Sequence, residues 1–277
     1  MTLRAMLGAA GARLSEVLDL QETAARDADV LVMHALGVGR TERFLRPERV
    51  LTDEEVARVW KAIERRVGLE PVQYILGEQE FYGLPFRVTR DTLIPRPETE
   101  LLVETVLLRA GSAKRIVDVG TGSGAIAVAL AHALRGAWVI AVDVSEAALE
   151  VARGNAVLNG VAVEFRMGDL LTGIEGGVDV VVSNPPYVPE GDREGMHRQV
   201  TEFEPAGALF AGVDGLDVYR RLVPQAWDVL RPGGMLAMEI GFGQEEGLRR
   251  LMTGWGGVDF LEDLRGVRRV VVGVKGL

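Results

Sequence analysis

The residues best suited to chemistry in this chain are Asn184-Pro185-Pro186-Tyr187. They follow the apolar run 178–183, whose length and composition are typical of a buried strand. Because proline lacks an N–H donor and fixes φ, the segment continues neither a sheet nor a helix. We expect a rigid lip at a strand end, where the Asn184 amide and free backbone carbonyls bind a planar –NH2 group. Taken alone, the four residues fit a proline-rich turn equally well, since short motifs produce false matches.

A glycine-rich loop precedes this segment and consists of Gly120-Thr121-Gly122-Ser123-Gly124. It lies between a predicted strand, 115–119, and a predicted helix, 125–134. Glycines there permit a tight turn and a close approach of the backbone to a ligand at the helix N-terminus. Together with the alanine that follows, the loop also satisfies the dinucleotide fingerprint. It therefore predicts a nucleotide-type cofactor without identifying it.

Acidic residues follow the next two predicted strands. Asp143 ends the strand after the glycine-rich loop, at the distance expected of an acid that binds ribose hydroxyls, so an adenosine cofactor is predicted. Asp169 and Leu170 follow the third strand, where a side chain would meet the adenine. A loop cap explains Asp169 equally well.

Two observations separate the adenosine cofactors. A nicotinamide-dependent oxidoreductase needs pyrophosphate contacts and a hydride-accepting site, and no acid/base pair for the substrate stands out. A methyl donor needs only a crevice and a positioned nucleophile, which the segment 184–187 supplies. The order of loop, acid, second acid and Asn-Pro-Pro-Tyr favours a sulfonium cofactor, with the oxidoreductase kept as an alternative.

The overall composition argues against several classes of site. The 277 residues carry a net charge of −9, which does not suit the broad cationic face of a nucleic-acid-binding protein. There is no cysteine, so disulfides and thiolate chemistry are excluded, and the 3 histidines lack metal-ligand spacing. No apolar window reaches the length of a membrane span, and no signal peptide is recognisable. We expect a cytoplasmic protein with no metal site and no membrane contact.

The chain divides by pattern into three parts. Residues 1–75 have apolar side chains at helical spacing and predict a small helical bundle, a module for packing or recognition. Within it, Thr52 and Glu55 predict a capping box, Gly68 the end of the same helix, and Gly37 to Gly39 the stop of an earlier one. Residues 76–97 predict a hairpin connector with a turn at Gly83-Leu84-Pro85.

Residues 98–277 alternate between strand and helix patterns and predict the largest domain. Its continuous apolar runs favour a parallel sheet covered on both faces. The last two strands are joined by the polar segment 262–266, which is too short for a helical crossover, so this pair is expected to be antiparallel. The fold class is therefore α/β: a doubly wound, mostly parallel, Rossmann-like sheet of seven strands with one antiparallel strand, plus the N-terminal helical bundle. The predicted strands are 115–119, 138–142, 163–167, 178–183, 235–240, 258–261 and 269–274.

Five segments of the chain resemble a known family. The glycine-rich loop and Asn-Pro-Pro-Tyr resemble the class I S-adenosylmethionine-dependent methyltransferases that modify planar amino groups. The runs 81–86 and 93–100, the second reading Leu-Ile-Pro-Arg-Pro-Glu-Thr-Glu, are similar to the bacterial protein-(glutamine-N5) methyltransferases of peptide-chain release factors. So is the run 204–216. The resemblance covers residues 72 to 274, and in the helical N-terminus it extends only to size and helical character.

The resemblance implies a substrate and a set of roles. The substrate is the side-chain amide of the glutamine in a Gly-Gly-Gln tripeptide of release factors, and the cofactor is S-adenosylmethionine. The loop 120–124 would cradle the methionine and ribose, Asp143 would bind the ribose hydroxyls, and Asp169 with Leu170 would flank the adenine. The segment 184–187 would hold the glutamine amide, with Asn184 bordering the cofactor as well, and the helical bundle would serve in substrate recognition.

Orientation, not deprotonation, is the expected mechanism. An amide nitrogen is a poor nucleophile because its lone pair is delocalised, and no general base removes its proton at neutral pH. The Asn184 oxygen and the Pro185 carbonyl would accept its two N–H groups, while Tyr187 and Pro186 pack on the flat amide. Holding the reactants at near-attack distance supplies ~7–11 kcal/mol of the barrier reduction.

Other assignments stay open on sequence alone. Arg96 either touches substrate or pairs with Glu98, and Glu239 either faces the cofactor or serves as a cap or ion pair. The run 190–194 is a candidate lid. An adenine-N6 methyltransferase of DNA or RNA would use the same chemistry, although the acidic charge and the lack of a basic target-recognition domain count against direct nucleic-acid binding. A binding module without catalysis is the remaining alternative.

Overall fold

The computed structural model describes residues 1–276 and, for Arg40, the backbone alone. The chain forms two compact units. The first comprises Met1–Gly77 together with the later segment Met196–Phe203, and the second comprises Glu78–Gly195 and the chain from Glu204 onward. Within the described residues, no helix is both long and apolar enough to cross a membrane.

Helices and strands follow the order that the sequence pattern predicts. The strands are β1 Glu78–Phe81, β2 Leu84–Arg87, β3 Arg115–Val119, β4 Trp138–Asp143, β5 Glu164–Met167, β6 Val178–Ser183, β7 Leu230–Glu239, β8 Gly256–Glu262 and β9 Arg268–Val274. The α-helices are α1 Leu3–Ser15, α2 Ala24–Leu36, α3 Arg40–Leu45, α4 Asp53–Val67, α5 Val72–Leu76, α6 Glu100–Ala110, α7 Ala125–Ala133, α8 Glu146–Leu158, α9 Arg198–Phe203, α10 Asp217–Val229 and α11 Glu245–Leu251. Short 3₁₀ helices lie at Leu18–Leu20, Pro97–Thr99, Glu190–Gly195 and Ala206–Ala208.

The first unit, called the helical unit below, is built on capped, amphipathic helices. The predicted capping box at the start of α4 is confirmed: Oγ1 of Thr52 accepts from N of Glu55 over 3.2 Å, and the Glu55 carboxylate accepts from N of Thr52 over 2.9 Å. Gly37 ends α2 with a left-handed φ of 65°, and Gly68 follows the last residue of α4, both as predicted. These stops let α1, α2 and α4 bury one apolar core.

A buried ion pair adds a polar constraint to that core. Nε of Arg66 donates to Oδ2 of Asp27 over 2.8 Å, and both side chains are at most 10% exposed. The same guanidinium donates to the backbone O of Glu70 and to Oε1 of Gln199. Because Gln199 lies in α9, this contact holds the later segment Met196–Phe203 within the helical unit.

The hairpin of β1 and β2 turns at a different place from the predicted one. Phe81 pairs with Leu84, so the turn residues are Tyr82 and Gly83, with φ of 53° and 71°. Two consecutive positive φ values match the right-handed twist of the strands. The predicted Gly-Leu-Pro turn was wrong by this register, since Leu84 and Pro85 already belong to β2.

The second unit contains the predicted doubly wound sheet. Its strand order is β5-β4-β3-β6-β7-β9-β8. β3 pairs in parallel with β4 and β6, and β4 with β5 and β6 with β7 also run parallel. β9 is antiparallel to both of its neighbours, which confirms the single reversed strand. β7 begins at Leu230 rather than at the predicted Met235, because Leu230 still pairs with Val178 before the register shifts.

Apolar side chains cover both faces of this sheet. Alternate residues of β6 enter different cores, with Val180 and Val182 on the face of α6 and α7, and Val181 on the face of α10 and α11. This alternation follows from the period of two in a strand. Two-sided burial explains why the strands appear in the sequence as continuous apolar runs.

The parallel strands end together at one edge of the sheet. Val119 lies opposite Val142 and Ser183, and Ser183 lies opposite Met238. The residues that follow these four positions are Gly120, Asp143, Asn184 and Glu239. They therefore stand side by side at the carboxyl ends of β3, β4, β6 and β7. The strand order reverses between β3 and β6, which is where open α/β sheets bind ligands.

Candidate active site

A cavity of about 400 Å³ opens at this edge of the sheet, within the second unit. Its volume lies in the range of ligand pockets, and most of its lining is apolar with a few convergent polar groups. The predicted site residues that line it are Gly120, Thr121, Gly122, Ser123, Asp143, Asp169, Leu170, Asn184 and Pro186.

The glycine-rich loop has the backbone of a ligand cradle. Gly120, Gly122 and Gly124 all have positive φ, at 70°, 55° and 82°. A Cβ added at Gly120 or Gly122 would meet no atom within 4 Å, so the backbone there is open to an approaching ligand. A Cβ at Gly124 would lie 3.0 Å from Cβ of Ala152. The third glycine therefore serves the packing of α7 against α8, and the first two serve the cavity.

The carboxylate of Asp143 fixes this loop. One oxygen, Oδ2, accepts from N of Gly122 over 2.9 Å, and the other accepts from N of Ser145 over 2.9 Å. Asp143 also lines the cavity. Because each carboxylate oxygen accepts more than one hydrogen bond, the side chain holds the loop and retains capacity for ligand hydroxyls.

Asp118 is a buried acid below the same loop. Its Oδ2 accepts from Oγ1 of Thr121 over 2.6 Å and from N of Ala127 over 3.2 Å. Its Oδ1 is buried without a partner among the described residues. Burial raises the pKa of Asp118 from 3.8 to about 7, which the two hydrogen bonds only partly oppose. The acid is therefore protonated across much of the acidic range.

We expect Asp118→Asn to remove a pH dependence of stability. The folded-state pKa of Asp118 is raised, so below pH 3.8 both states hold the proton, and above pH 7 neither does. Between those values only the folded state keeps it, so the wild type loses about 1.4 kcal/mol of unfolding free energy per pH unit relative to the variant. Urea unfolding of the ligand-free proteins at several pH values measures this difference. A difference that does not change between pH 4 and pH 7 would contradict the assignment.

Asp169 and Leu170 line the cavity from the chain after β5. The Asp169 carboxylate pairs with the guanidinium of Arg221 on α10, and both side chains are about half exposed, at 54% and 55%. Leu170 has a φ of 53°, which is unusual for a side chain that is not glycine. This backbone conformation places Leu170 partly against the core next to α10.

The segment after β6 divides its residues between cavity and core. Asn184 and Pro186 line the cavity, while Pro185 is buried. The ring of Tyr187 packs against the core on the α10 face, and its hydroxyl donates to Oε1 of Glu239 over 3.1 Å. Burial and this neighbouring carboxylate raise the pKa of Tyr187, so the phenol remains a donor.

Arg96 and Glu239, whose roles the sequence left open, and Thr99, to which it gave none, complete the site. Nδ2 of Asn184 donates to Oγ1 of Thr99 over 3.1 Å, and Oγ1 of Thr99 donates to Oε2 of Glu239 over 2.6 Å. Arg96 lines the cavity and pairs with the buried carboxylate of Glu204, not with Glu98. A charged residue that ends an apolar strand, as Glu239 does, is the sequence signal for such a position; Thr99 carries no comparable signal.

Asn155 on α8 joins the hairpin to the glycine-rich loop. It is fully buried; its Oδ1 accepts from N of Arg87 over 2.7 Å, and its Nδ2 donates to the O of Arg87 and the O of Ser123. Three backbone groups of two segments thus depend on one amide. Its position inside a helix gave no signal of this role in the sequence.

We expect Asn155→Leu to destabilise the protein by roughly 3 kcal/mol, because it leaves three backbone polar groups without their partner. Denaturant unfolding measures the loss. Asn159→Ala is the control at the C-terminal end of the same helix, since the Asn159 Nδ2 donates to the O of Pro85 and the O of Asn155 in more exposed positions. Equal losses of unfolding free energy in the two variants would show that the buried amide of Asn155 contributes no more to stability than the more exposed amide of Asn159.

Comparison with known proteins adds family relationships to this geometry. Residues 97–202 match the family described as "Methyltransferase small domain", and residues 7–77 match the "PrmC N-terminal domain". Solved structures share the fold at low identity. A methyltransferase from Pyrococcus furiosus matches with a TM-score of 0.53 and 23% identity, over 71% of this chain and 91% of that one. A 16S rRNA methyltransferase from T. thermophilus, solved with AdoMet and guanosine, gives 0.52 and 21%, over 72% and 49%.

Curated relatives are similar over nearly the whole chain. The "Release factor glutamine methyltransferase" of Koribacter versatilis is 48% identical over 90% of this chain and 90% of its own. Those of Geobacter sulfurreducens and Deinococcus radiodurans are 42% and 43% identical, covering 91% and 87% of this chain and 90% and 86% of their own. At this identity and coverage, with the glycine-rich loop and Asn184 side by side at the carboxyl edge of the sheet, the chain belongs to the family of release factor glutamine methyltransferases.

Proposed function

We propose that this protein transfers the methyl group of S-adenosylmethionine to the side-chain amide nitrogen of a glutamine, within a Gly-Gly-Gln tripeptide of peptide-chain release factors. The observation that carries the proposal is the position of Asn184. It lies at the end of β6 and lines the same cavity as the glycine-rich loop after the neighbouring strand β3. A methyl donor and a planar amide held at these two strand ends would meet within one cavity.

The residues around the cavity fit S-adenosylmethionine. The open backbone at Gly120 and Gly122 accepts the methionine and ribose part, with Thr121 and Ser123 completing the cradle. Gly124 supports this cradle through the close packing of α7 against α8. Asp143 binds the ribose hydroxyls in addition to the two loop N–H groups that it already holds. Asp169 and Leu170 border the adenine, and Asn184 borders the methyl-bearing end.

Asn184 and Pro185 bind the substrate amide in this proposal. The side-chain oxygen of Asn184 and the backbone carbonyl of Pro185 accept the two N–H bonds of the glutamine. Pro186, which lines the cavity, packs on the flat amide. Tyr187, whose ring lies against the core, supports the segment from behind through its hydrogen bond to Glu239.

The chemistry requires orientation and charge stabilisation from these residues. When bound, S-adenosylmethionine supplies an electrophilic methyl group on a sulfonium. Two acceptors on the glutamine N–H groups turn the nitrogen lone pair toward that methyl carbon. The N–C bond forms as the S–C bond breaks, and the acceptors bind more tightly as the nitrogen becomes cationic, which is differential stabilisation of the transition state. The sulfur keeps the electron pair of the broken bond, and the amide proton, which is acidic once the nitrogen is cationic, passes to solvent water, so no histidine is needed.

The other parts of the chain have proposed roles that follow from the substrate. Residues 1–75 form the module that recognises the release factor, residues 76–97 form the connector, and residues 98–277 carry out the transfer. Because release factors act in translation, the proposed location is the cytoplasm. The curated relatives are named for release factors and not for DNA or RNA, so the adenine-N6 alternative is not favoured.

Methyl transfer from radiolabelled S-adenosylmethionine to a purified release factor tests the proposal. A copy of the release factor with the Gly-Gly-Gln glutamine replaced serves as the matched control. Label on the first protein and none on the second is the expected result. Equal label on both would place the acceptor elsewhere, and label on DNA or RNA oligonucleotides alone would favour the adenine alternative.

A further inference from the structure

A chain of hydrogen-bonded side chains ends on Asn184. Nδ2 of Asn184 donates to Oγ1 of Thr99, which in turn donates to Oε2 of Glu239. Thr99 and Glu239 are buried, at 4% and 2% exposure. Because so little of these two side chains is exposed, their hydrogen bonds lie in surroundings of low dielectric, where leaving a polar group without its partner is costly.

The single proton of the Thr99 hydroxyl decides how the Asn184 amide is turned. That proton goes to Glu239, so the oxygen of Thr99 has only acceptor capacity left for Asn184. An acceptor selects the –NH2 group of the amide and not its oxygen. Oδ1 of Asn184 is therefore directed away from Thr99. If the Thr99 hydroxyl donated to Asn184 instead, it would bind Oδ1. The –NH2 group of Asn184 would then point in the direction that Oδ1 now has.

Glu239 accepts from hydroxyls on both of its carboxylate oxygens. Oε2 accepts from the Thr99 hydroxyl and Oε1 from the Tyr187 hydroxyl. The backbone O of Glu239 accepts in addition from the hydroxyl of Tyr219 over 2.7 Å. Burial raises the pKa of Glu239, whereas the hydroxyls of Thr99 and Tyr187 and the charge of Arg269 act against this rise. Each carboxylate oxygen therefore faces a hydroxyl donor, and the Thr99 proton is directed to Glu239.

We propose that Thr99 and Glu239 are positioning residues, which hold the Asn184 amide with its oxygen toward the nitrogen that is methylated. The inference rests on the proposed function and adds the residues that give the acceptor its direction. A reversed amide would present N–H groups to the N–H groups of the substrate. Two donors facing each other repel, so the glutamine nitrogen would lose the contact that orients its lone pair.

Thr99→Val tests the inference, because valine keeps the shape of threonine and removes the hydroxyl. We expect kcat to fall by ~10²-fold, as a misoriented group costs in other enzymes, while the Kd for S-adenosylmethionine changes by less than about threefold. Thr99→Ser restores the hydroxyl and is expected to recover most of kcat. Thr105→Val is the matched control: this threonine lies on α6, is 2% exposed, and its hydroxyl donates to the backbone O of Leu101. The kcat of Thr105→Val is expected to stay within about twofold of the wild-type value.

A second measurement reports the amide direction without substrate. In the wild type, one Nδ2 proton of Asn184 is bound to Thr99, so its exchange with solvent is slowed. Nuclear magnetic resonance of ¹⁵N-labelled protein resolves this signal, which is assigned by its loss in Asn184→Ala. We expect the protection to disappear in Thr99→Val and to persist in Thr99→Ser and Thr105→Val. Unchanged protection in Thr99→Val would show that Thr99 does not hold the –NH2 group of Asn184.

The outcomes separate this inference from the proposed function. Wild-type kcat in Thr99→Val, or a loss that Thr99→Ser does not reverse, overturns the inference. Where Thr99→Val folds poorly, Glu239→Gln replaces it, because its –NH2 group can donate to Thr99 and reverse the chain. Unchanged kcat and unchanged protection in Glu239→Gln also overturn the inference. If the wild type methylates no release factor, the proposed function fails. The inference is tested separately: if the Asn184 Nδ2 proton remains protected from exchange in Thr99→Val, the inference is overturned whatever the methylation result.

Discussion

Asn184→Ala is expected to lower kcat by ~10³-fold while the Kd for S-adenosylmethionine stays within about threefold of wild type. The alanine removes the acceptor that orients the substrate nitrogen, and with it an interaction that strengthens as the nitrogen becomes cationic. In the proposed function the cofactor is held mainly by the glycine-rich loop and Asp143, and the substitution leaves the hydrogen bond between Gly122 and Asp143 in place. Single-turnover methyl transfer measures the chemical step, and calorimetric titration measures cofactor binding.

The matched control for this variant is Asn159→Ala. It removes an asparagine of the same unit that lies outside the cavity, so both kcat and cofactor affinity should remain near wild type. Asn184→Asp adds a further comparison, because it keeps a side-chain oxygen but loses the –NH2 group that donates to Oγ1 of Thr99. Near-normal turnover in Asn184→Ala would show that the amide of Asn184 does not hold the substrate.

Asp143→Ala is expected to weaken S-adenosylmethionine binding by ~10²-fold, which is about 3 kcal/mol. Two losses add here. The ribose hydroxyls lose a charged acceptor, and the N–H groups of Gly122 and Ser145 lose the carboxylate that fixes the loop. Calorimetric titration gives the Kd, and thermal unfolding of the ligand-free protein shows whether the loop defect also lowers stability.

Asp169→Ala separates these effects from a general loss of negative charge. Asp169 also lines the cavity, but its carboxylate is half exposed and pairs with Arg221, so its removal should change the Kd only a few-fold. The two variants carry the same change in net charge. A Kd for Asp143→Ala equal to that of wild type or of Asp169→Ala would remove Asp143 from the ribose site.

Comparison of sequence and structure shows which features depend on local rules. The doubly wound sheet, its reversed strand and the helix caps follow from apolar runs, a short connection and residues such as Thr52, Glu55 and Gly37. In each case, the deciding residues are close in sequence. The hairpin turn is the local exception: it was predicted at Gly83-Leu84-Pro85, whereas the structure places it at Tyr82 and Gly83, which both have positive φ.

The convergence of the predicted residues at the strand ends has a related reason. Glycines with positive φ, an acid after a strand and an Asn-Pro-Pro segment are recognisable one element at a time. Because parallel strands end at the same edge, the prediction that Gly120, Asp143 and Asn184 converge needed only the strand assignments. Their specific roles toward cofactor and substrate are still predictions that the variants above test.

The sequence by itself determined the type of fold, the family and the residues at the ends of its strands, because backbone restrictions and apolar periodicity act over a few residues. Only the tertiary structure decided the partners of those residues. It paired Arg96 with Glu204, turned Tyr187 toward Glu239 and connected Asn184 to Glu239 through Thr99. Such pairs lie far apart in sequence, and their contacts depend on which strands become neighbours and on how the side chains between them pack.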